Sequence, residues 1–352
     1  MNYLLTSSSS FTPSPRYATS SILIGTKLYF FGGWAKDSDN IENCQSDIFY
    51  LDISNSFNIE DDNQNIPWID LTSTAEIPER ICWHNSLKEI NNNTIYLFGG
   101  ITQNIKSKEL TFDTLLYKFD ITSQKWSKPS LTGISPGRRI RLEIVQDNKN
   151  DIENTYIFGG LTTNKIMWFN DMNILDTLKL NWLLVETSGI NIPPPQADFT
   201  TTLLSNGIIL YIGGREAVNV YGDKITYKKM DQIATGTIPG VRVGHSAVLD
   251  LAVLDTSVLP FKWTIPKIKN IPPPVLAHHT ATLIKNIIII AFASETPTFV
   301  SVNTALLLGS LIGGITSIIV LLIIAFLLFR RWRKFKKLYG DKLPFSDPVT
   351  PL

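Results

Sequence analysis

Ile95-Tyr96-Leu97-Phe98-Gly99-Gly100 sets the architecture of the chain, because this apolar run closed by two glycines is repeated. Three further copies occur, at residues 28–33, 155–160 and 210–214. Successive first glycines are 67, 60 and 54 residues apart, a spacing that fits units of four β-strands with some long loops. The pattern therefore predicts an all-β fold built from internal repeats.

Other landmarks recur in phase with the glycine pairs. Each unit opens with a proline–arginine element, continues after the glycines with an alternating strand that ends in aspartate, and closes on a tryptophan. The three complete units supply these landmarks at Pro15-Arg16, Pro78-Glu79-Arg80 and Pro136-Gly137-Arg138, at residues 48–52, 116–120 and 172–176, and at Trp68, Trp126 and Trp182. This order resembles the Kelch repeat, each copy of which forms one four-stranded blade of a β-propeller. The resemblance implies a Kelch-type β-propeller of about six blades over residues 13–293.

The repeated glycines and tryptophans are expected to be structural. The first glycine lets the backbone turn with a positive φ after a buried strand, and the second lets the neighbouring blade approach closely. A tryptophan on the outer strand fills the wedge between blades with a large apolar surface. The residues assigned to these roles are Gly32, Gly33, Gly99, Gly100, Gly159, Gly160, Gly213, Gly214, Trp68, Trp126, Trp182 and Trp263.

The later units depart from the repeat. Unit four has no outer strand or tryptophan after its glycine pair, and unit five passes from residues 239–249 to 251–255 without a glycine-pair strand. In unit six, Ala293-Ser294-Glu295 replaces the expected glycines. A missing strand leaves unpaired edges in a blade, so we expect this sequence to be an incomplete version of a six- or seven-bladed chain.

The C-terminal part of the chain has the composition of a membrane anchor. Residues 304–329 are uncharged and apolar, and no charge occurs between Glu295 and Arg330. Because about 20 apolar residues in a helix span a bilayer, we predict a stalk at 294–303, one transmembrane α-helix at 304–329 and a basic tail at 330–352. The basic tail is predicted to be cytoplasmic, which places the propeller outside the plasma membrane or in the secretory pathway, in a type I-like orientation. Gly309 and Gly313 form a GxxxG pattern that can bring two such helices together as a dimer.

The N-terminal residues do not form the signal peptide that a type I-like orientation needs. Residues 1–12 have neither the basic nor the apolar region of a signal peptide and are expected to be a disordered leader. We interpret this as a missing true N-terminus. The alternative is a tail-anchored protein whose propeller faces the cytosol.

Composition narrows the range of partners and modifications. The net charge is +1, and much of the positive charge lies in the tail, so the remaining part is mildly acidic and no nucleic-acid partner is expected. Cys44 and Cys82 are the only cysteines; they could pair, or both could be buried thiols. The sequon at Asn92 is a possible glycosylation site, which a lumenal domain would use.

Catalytic and metal-binding patterns are not found in the sequence. The four histidines, His84, His245, His278 and His279, lie near the starts of inner strands, so no metal site and no cofactor are expected. Galactose oxidase shares the propeller architecture, but its family chemistry needs copper held by two histidines and two tyrosines, and no segment offers that set. The prediction is a protein without enzymatic activity, with a copper-radical oxidase as a less favoured alternative.

Binding is the function that the predicted geometry favours. Long loops at 34–46, 101–113 and 161–171 are expected on one face of the propeller, where loops on a rigid scaffold usually carry recognition. Arg16, Arg80, Arg138 and Arg242 are expected to open inner strands near that face. In Kelch propellers the matching arginines grip acidic peptide groups, which suits a bidentate guanidinium; alternatively, each arginine binds carbonyls of the neighbouring blade. The leading hypothesis is a membrane-anchored module that binds a protein or glycan.

Overall fold

A computed structural model describes residues 11–36, 41–55, 66–91, 93–147, 153–162, 167–185, 193–216, 234–236, 253–258, 260–264, 278–284, 287–292 and 305–308. All of them belong to the first of two compact units, Met1–Ser310. In these ranges the chain is built from β-strands joined by turns, as the repeat predicts. None of the described segments is a helix with the length and apolar character needed to cross a membrane.

The first three blades contain sixteen strands. Those of the first blade are β1 (Ser20–Ile24), β2 (Lys27–Phe31), β3 (Trp34–Lys36), β4 (Glu42–Cys44), β5 (Ile48–Asp52) and β6 (Trp68–Asp70). Those of the second are β7 (Arg80–Lys88), β8 (Thr94–Gln103), β9 (Leu110–Thr111), β10 (Leu116–Asp120) and β11 (Lys125–Ser127). Those of the third are β12 (Thr132–Gly133), β13 (Ile144–Asp147), β14 (Asn154–Phe158), β15 (Met172–Asp176) and β16 (Asn181–Val185).

The later blades contain ten described strands. They are β17 (Gln196–Ala197), β18 (Thr200–Leu203), β19 (Ile209–Ile212), β20 (Arg215–Glu216), β21 (Ala234–Gly236), β22 (Val253–Asp255), β23 (Phe261–Thr264), β24 (Thr280–Ile284), β25 (Ile287–Ala291) and β26 (Ala305–Leu308). Strands β18 and β19 form the inner hairpin of blade four, and β17 pairs with β20 beside it. Strands β22 and β23 are the third and outer strands expected for unit five, and the outer strand carries Trp263.

Each of the first three blades is a four-stranded antiparallel meander. The strand orders are β1-β2-β5-β6, β7-β8-β10-β11 and β13-β14-β15-β16. The second strand of the meander is covered on both faces, so nearly every residue of β8 is buried. This explains the continuous apolar runs that precede the glycine pairs.

Two outer strands are covered by the segment that leads into their own blade. Strand β12 runs parallel to β16 and pairs Gly133 with Trp182. Strand β21 runs parallel to β23 and pairs Gly236 with Trp263 in the same way. The repeated Thr-Gly dipeptide thus seals the outer edges of blades three and five, which removes an unpaired strand edge.

The last described hairpin packs against the first blade. Ser21 Oγ on β1 lies 3.2 Å from Thr282 Oγ1 on β24. Beyond β25, Phe292 contacts Phe30, Phe49 and Trp68 with ring centroids 5.2–5.9 Å apart. These contacts form an apolar cluster shared by the beginning and the end of the described fold.

The structure differs from the sequence predictions at both ends of the propeller. Phe11, assigned to a disordered leader, packs its ring 5.6 Å from that of Phe49, because blade one offers an aromatic surface there. At the other end, Ala305–Leu308 form β26, which pairs in parallel with β25 and supplies it with backbone partners. The predicted transmembrane helix therefore does not include these four residues, and the rest of 304–329 lies outside the described residues.

Two features of the loops were also not predicted. Parts of the long loops are strands, since Trp34–Lys36 and Glu42–Cys44 pair as a hairpin and Leu110–Thr111 pair with β8. Cys44 at the end of that hairpin forms a disulfide with Cys82 on β7. Both cysteines are buried, and the bond joins the loop of blade one to the inner strand of blade two.

Candidate ligand-binding channel

The inner strands of several blades surround one cavity of about 330 Å³. Its wall is formed by five equivalent chain segments, 18–21, 83–86, 141–144, 198–199 and 278–281. Each segment starts just before an inner strand or within its first residues. The cavity is thus the central channel of the propeller, as far as the described residues surround it.

The first residue of each segment has a left-handed backbone although it is not glycine. The five residues, here called the left-handed ring, are Ala18 (φ 53°), Trp83 (φ 57°), Arg141 (φ 58°), Asp198 (φ 57°) and His278 (φ 55°). Hydrogen bonds connect ring neighbours: Ala18 N–H donates to the His278 carbonyl, Trp83 to Ala18, and Asp198 to Arg141, at 3.0, 2.8 and 2.8 Å. Such a conformation costs side-chain-bearing residues free energy, and it often marks functional sites.

Trp83 is the centre of an aromatic and cationic group on this ring. Its ring lies 4.6 Å from that of His278 and 6.0 Å from that of Tyr17. The Arg141 guanidinium stacks over the indole at 4.3 Å. This arrangement offers a flat apolar surface with a charge beside it, a combination that is common in protein recognition sites.

Asp198 connects two arginines next to this group. Arg141 Nη1 donates to Asp198 Oδ1 at 3.2 Å, and Arg215 donates through Nε to Oδ2 at 2.6 Å with a second contact from Nη2. The Asp198 side chain is almost fully buried, so these contacts provide the pairing that a buried charge needs. Burial lowers the pKa of His278. The nearby Asp198 carboxylate acts to raise this pKa, whereas the Arg141 and Arg215 guanidinium groups lower it further.

A second layer of polar residues follows two positions along four of the five segments. It contains Ser20, Asn85, Glu143 and Thr280, which also line the cavity. The Glu143 carboxylate can be reached by water, yet protein atoms crowd around it, and this desolvation raises its pKa to about 7. The Thr201 N–H donates to Glu143 Oε2 at 3.0 Å, and this hydrogen bond acts to lower the pKa of Glu143.

A hydroxyl–imidazole contact joins blades one and two in the wall. Ser20 Oγ lies 2.6 Å from His84 Nε2. Burial lowers the pKa of His84 to about 3, so the imidazole is neutral at physiological pH and a weak base. Within the described ranges, no three His, Cys, Asp or Glu side chains are arranged to hold a metal ion.

Arg16 lies inside its own blade rather than at the cavity. It is 3% exposed, and its guanidinium binds Asp47, the Gly32 carbonyl and Ser14. Arg139 occupies the equivalent place in blade three, where it binds Asp171 and the Gly159 carbonyl. These two arginines hold the glycine turn and the third strand of a blade together.

Arg80 and Arg138 occupy the position one residue earlier and reach the preceding blade. Arg80 Nη1 donates to the Cys44 carbonyl at 3.1 Å, and Arg138 Nη1 donates to the carbonyls of Gly99 and Gly100 at 2.9 and 3.1 Å. Both arginines thus bind carbonyls of the neighbouring blade, which is the alternative to ligand binding given in the sequence analysis. Neither arginine is part of the cavity wall. Arg242 lies outside the described residues.

The cavity residues Trp83, Arg141, Asp198 and His278 were missed from the sequence as a set. When the repeats are aligned, each of these residues falls at the same position. In unit five this position is held by Gly244, in the motif Val241-Arg242-Val243-Gly244-His245. Large side chains at a place where another repeat has glycine were the available indication of a site. The proline–arginine element was too variable in spacing to show it.

The repeat tryptophans lie in or against the apolar core, and the repeat glycines adopt left-handed backbone conformations, in the part of the chain that the structure describes. Trp68, Trp182 and Trp263 are buried, and Trp126 packs against the core cluster between blades one and two. All eight paired glycines have positive φ. The sequon at Asn92 and the helix motif of Gly309 and Gly313 lie outside the described residues.

Four-stranded blades around a channel define the chain as a Kelch-type β-propeller. The chain belongs to the Kelch-repeat family, since the profile described as the KLHDC2/KLHL20/DRC7 Kelch-repeats domain matches residues 56–249. The matched residues begin within unit one and end within unit five. The match agrees with the repeat found in the sequence.

Several known proteins are similar to the chain. Kelch domain-containing protein 3 is 25% identical over 197 residues in Bos taurus and 27% identical over 203 residues in Rattus norvegicus, covering 55% of this chain and 47% of those proteins in both cases. Host cell factor 1 of Homo sapiens is 23% identical over 275 residues, which are 71% of this chain and 12% of that protein. The chain therefore spans about half the length, or much less, of the curated relatives it matches. The solved structure of YjhT is 20% identical, with a TM-score of 0.44, over 58% of this chain and 61% of that one.

Proposed function

We propose that the chain is a protein-interaction module whose ligand-binding surface is the left-handed ring. The observation that carries this proposal is the presence of Trp83, Arg141, Asp198 and His278 at backbone positions that favour glycine. Glycine adopts this conformation without a Cβ penalty, so the backbone conformation does not by itself call for these side chains. Membership of the Kelch-repeat family supports a binding role over a catalytic one.

Substitution with glycine tests this surface without disturbing the backbone. Trp83→Gly and Arg141→Gly remove the side chains and suit a positive φ, and Asp198 keeps its partner Arg215 in the second variant. Gln124→Gly is the matched control, because Gln124 also has a positive φ, of 54°, but lies in a turn on the rim of blade two. Proteins that co-purify with the wild type and the control, but not with the two variants, support the proposal. An identical set in all four samples contradicts it.

We further propose that the module is held at a membrane by the apolar residues 309–329, which follow β26, with the propeller on the extracellular or lumenal side. The uncharged run and the basic residues behind it support the anchor and its orientation. The buried Cys44–Cys82 disulfide supports an oxidising compartment, because such bonds are rare in the cytosol. The alternative is a tail-anchored adaptor that faces the cytosol.

Protease protection of intact microsomes separates the two orientations. For a lumenal propeller we expect protection of the propeller, glycan on Asn92 and a Cys44–Cys82 bond in alkylated, unreduced samples. Digestion of the propeller, with two free thiols, supports the cytosolic alternative. Recovery of the protein in the soluble fraction after carbonate extraction contradicts an anchor of either kind.

A further inference from the structure

The outer strand of blade two has an open edge in the described part of the chain. Strand β11 is bonded to β10 on one side, and no described strand lies on its other side. In blades three and five the matching edge is covered by a Thr-Gly dipeptide, Thr132-Gly133 or Thr235-Gly236, which runs parallel to the outer strand. An unpaired edge presents backbone N–H and C=O groups that can bond another extended segment.

A single alanine explains why blade two lacks this cover. The segment that leads into blade two has Thr74-Ala75 where blade three has Thr132-Gly133, and each dipeptide ends three residues before a proline. A Cβ at Gly133 would lie 2.1 Å from the Trp182 carbonyl oxygen, so an alanine cannot pair in this way. The Ala75 N–H instead donates to the Leu71 carbonyl at 2.8 Å, and the segment forms a turn rather than a strand.

A groove of about 500 Å³ lies between this turn and β11. Its walls include Ser73, Thr74 and Glu76 on one side and residues 124–128 on the other. Trp126 on β11 is only half-buried, whereas Trp182 and Trp263, at the two covered edges, are 2% and 7% exposed. The edge of β11 is therefore accessible, and an extended segment has room beside it.

The outer strands of blades two and three present the same backbone to this edge. Gln124 and Leu180 each stand two residues before the tryptophan of the strand and have nearly the same left-handed φ, 54° and 51°. In blade three the Thr132 N–H donates to the Leu180 carbonyl at 3.0 Å. The Gln124 carbonyl is therefore the acceptor that blade two offers to an added strand.

The exposed lysine on β11 is compatible with such a strand. Charged side chains, lysine above all, often protect an edge against uncontrolled pairing, and Lys125 stands at this edge. Blade five has the same Lys-Trp dipeptide in its outer strand, with Thr235 opposite Lys262 and Gly236 opposite Trp263. The fold itself thus contains the dipeptide that pairs with Lys-Trp.

We propose that the open edge of β11 binds an extended Thr-Gly segment of a partner protein, by addition of a strand to the blade. The segment runs parallel to β11, with its threonine opposite Lys125 and its glycine opposite Trp126. Glycine is required because a side chain would meet the Trp126 carbonyl, as at Gly133 in blade three.

The occupant is a different protein rather than a second copy of this chain. The two Thr-Gly dipeptides of the sequence are already paired within their own blades, three and five. The groove and the channel have no lining residue in common. The inference therefore goes beyond the proposed function and does not depend on the left-handed ring.

A synthetic peptide with the sequence of residues 129–135 is a suitable probe, because it carries the Thr-Gly strand of blade three. In a fluorescence-anisotropy titration with the full chain, we expect the labelled peptide to bind. Replacement of its glycine by alanine should weaken binding about tenfold or more. Methylation of its threonine nitrogen should do the same, because it removes the N–H that the Gln124 carbonyl accepts.

Variants of the chain assign the binding to this edge. Thr74→Arg fills the groove with a long side chain and should weaken peptide binding about tenfold or more. Thr122→Arg is the matched control, because both threonines are exposed and each donates one side-chain hydrogen bond. It lies outside the groove and should bind the peptide as the wild type does.

Three results overturn the inference: no binding by the wild type, equal binding of the three peptides, or equal binding by Thr74→Arg and Thr122→Arg. A dimer of the chain that the peptide dissociates in sedimentation would also overturn it, because the edge would then pair with a second copy. Trp83→Gly should bind the peptide as the wild type does, and a loss there would place the peptide in the channel instead.

Discussion

Arg139 and Asp171 form a bidentate ion pair, with Nη1–Oδ1 and Nη2–Oδ2 distances of 2.8 and 3.1 Å. The arginine is 1% exposed, and its guanidinium also stacks over Phe169 at 3.9 Å. Burial opposes the charge of Asp171, yet the arginine holds the pKa of this carboxyl below its usual value. The pair therefore fastens the third strand of its blade to the segment that leads into the inner strand.

Removal of this arginine is predicted to weaken the fold. Arg139→Ala leaves Asp171 and the Gly159 carbonyl without their donor, so we expect the free energy of unfolding to fall by about 3 kcal/mol. Urea denaturation measures this change. Lys179→Ala is the control, because the Lys179 side chain is 79% exposed and its pair with Asp176 should contribute less than about 0.5 kcal/mol. Equal, small effects would show that the Arg139 pair does not support the blade.

The second glycine of a pair is predicted to be intolerant of a side chain. A Cβ at Gly100 (φ +76°) would lie 2.5 Å from the Cys82 carbonyl oxygen and 2.8 Å from the His84 Cβ. Gly100→Ala should therefore destabilise the protein by more than about 2 kcal/mol. Gly207→Ala at φ +85°, where no atom lies within 4 Å, isolates the backbone cost of about 1 kcal/mol. The melting temperatures of the two variants check the prediction, and similar losses would contradict it.

Arg80 is predicted to contribute little to stability. Its guanidinium donates to the carbonyls of Cys44 and Ile105 at 3.1 and 3.3 Å, and it is only partly buried. Arg80→Ala should cost about 1 kcal/mol. Its predicted role in ligand binding can thus be measured in a folded variant by co-purification. Loss of partners with an unchanged melting curve would support recognition by this arginine, and unchanged partners would assign it to the contact between blades.

The Cys44–Cys82 disulfide should add to stability. Its 38-residue separation corresponds to about 4 kcal/mol of restricted chain entropy in the unfolded state. A paired Cys44→Ser, Cys82→Ser variant should unfold at lower urea concentration, and addition of a reductant should then have no further effect on it. If reductant leaves wild-type unfolding unchanged, the bond is absent in solution.

His84 should make the fold sensitive to acid. Its folded-state pKa of about 3 lies below the unfolded value of 6.5, so the unfolded chain binds more protons between these values. Stability is therefore fully present above about pH 6.5 and falls as the pH is lowered towards 3. Urea unfolding between pH 7 and pH 4 measures this slope, which should be flatter in His84→Gln. Parallel slopes would contradict the assignment.

The sequence predicts the blades better than the site. Glycine pairs, the aspartate-terminated strands and the tryptophans each reflect one local requirement, such as a positive φ at Gly99 or an apolar wedge at Trp182. The left-handed ring has no such local signature, because Trp83 and Arg141 adopt a conformation that their residue types do not favour. Only superposition of the repeats shows that they share one position.

The roles of the arginines could not be read from the proline–arginine element for a related reason. Arg16 and Arg139 bind within their own blade, while Arg80 and Arg138, one residue earlier, reach the preceding blade. A shift of one residue turns a side chain to the other side of an extended segment. The sequence does not fix that shift, because the number of residues after each proline varies.

The position of Phe292 has a consequence for how this chain is made. Its aromatic partners, Phe30, Phe49 and Trp68, are synthesised more than 200 residues earlier. During translation their apolar surface stays uncovered until the last hairpin has left the ribosome. A chain that ends before Phe292 therefore leaves this part of the apolar surface of the first blade exposed to solvent.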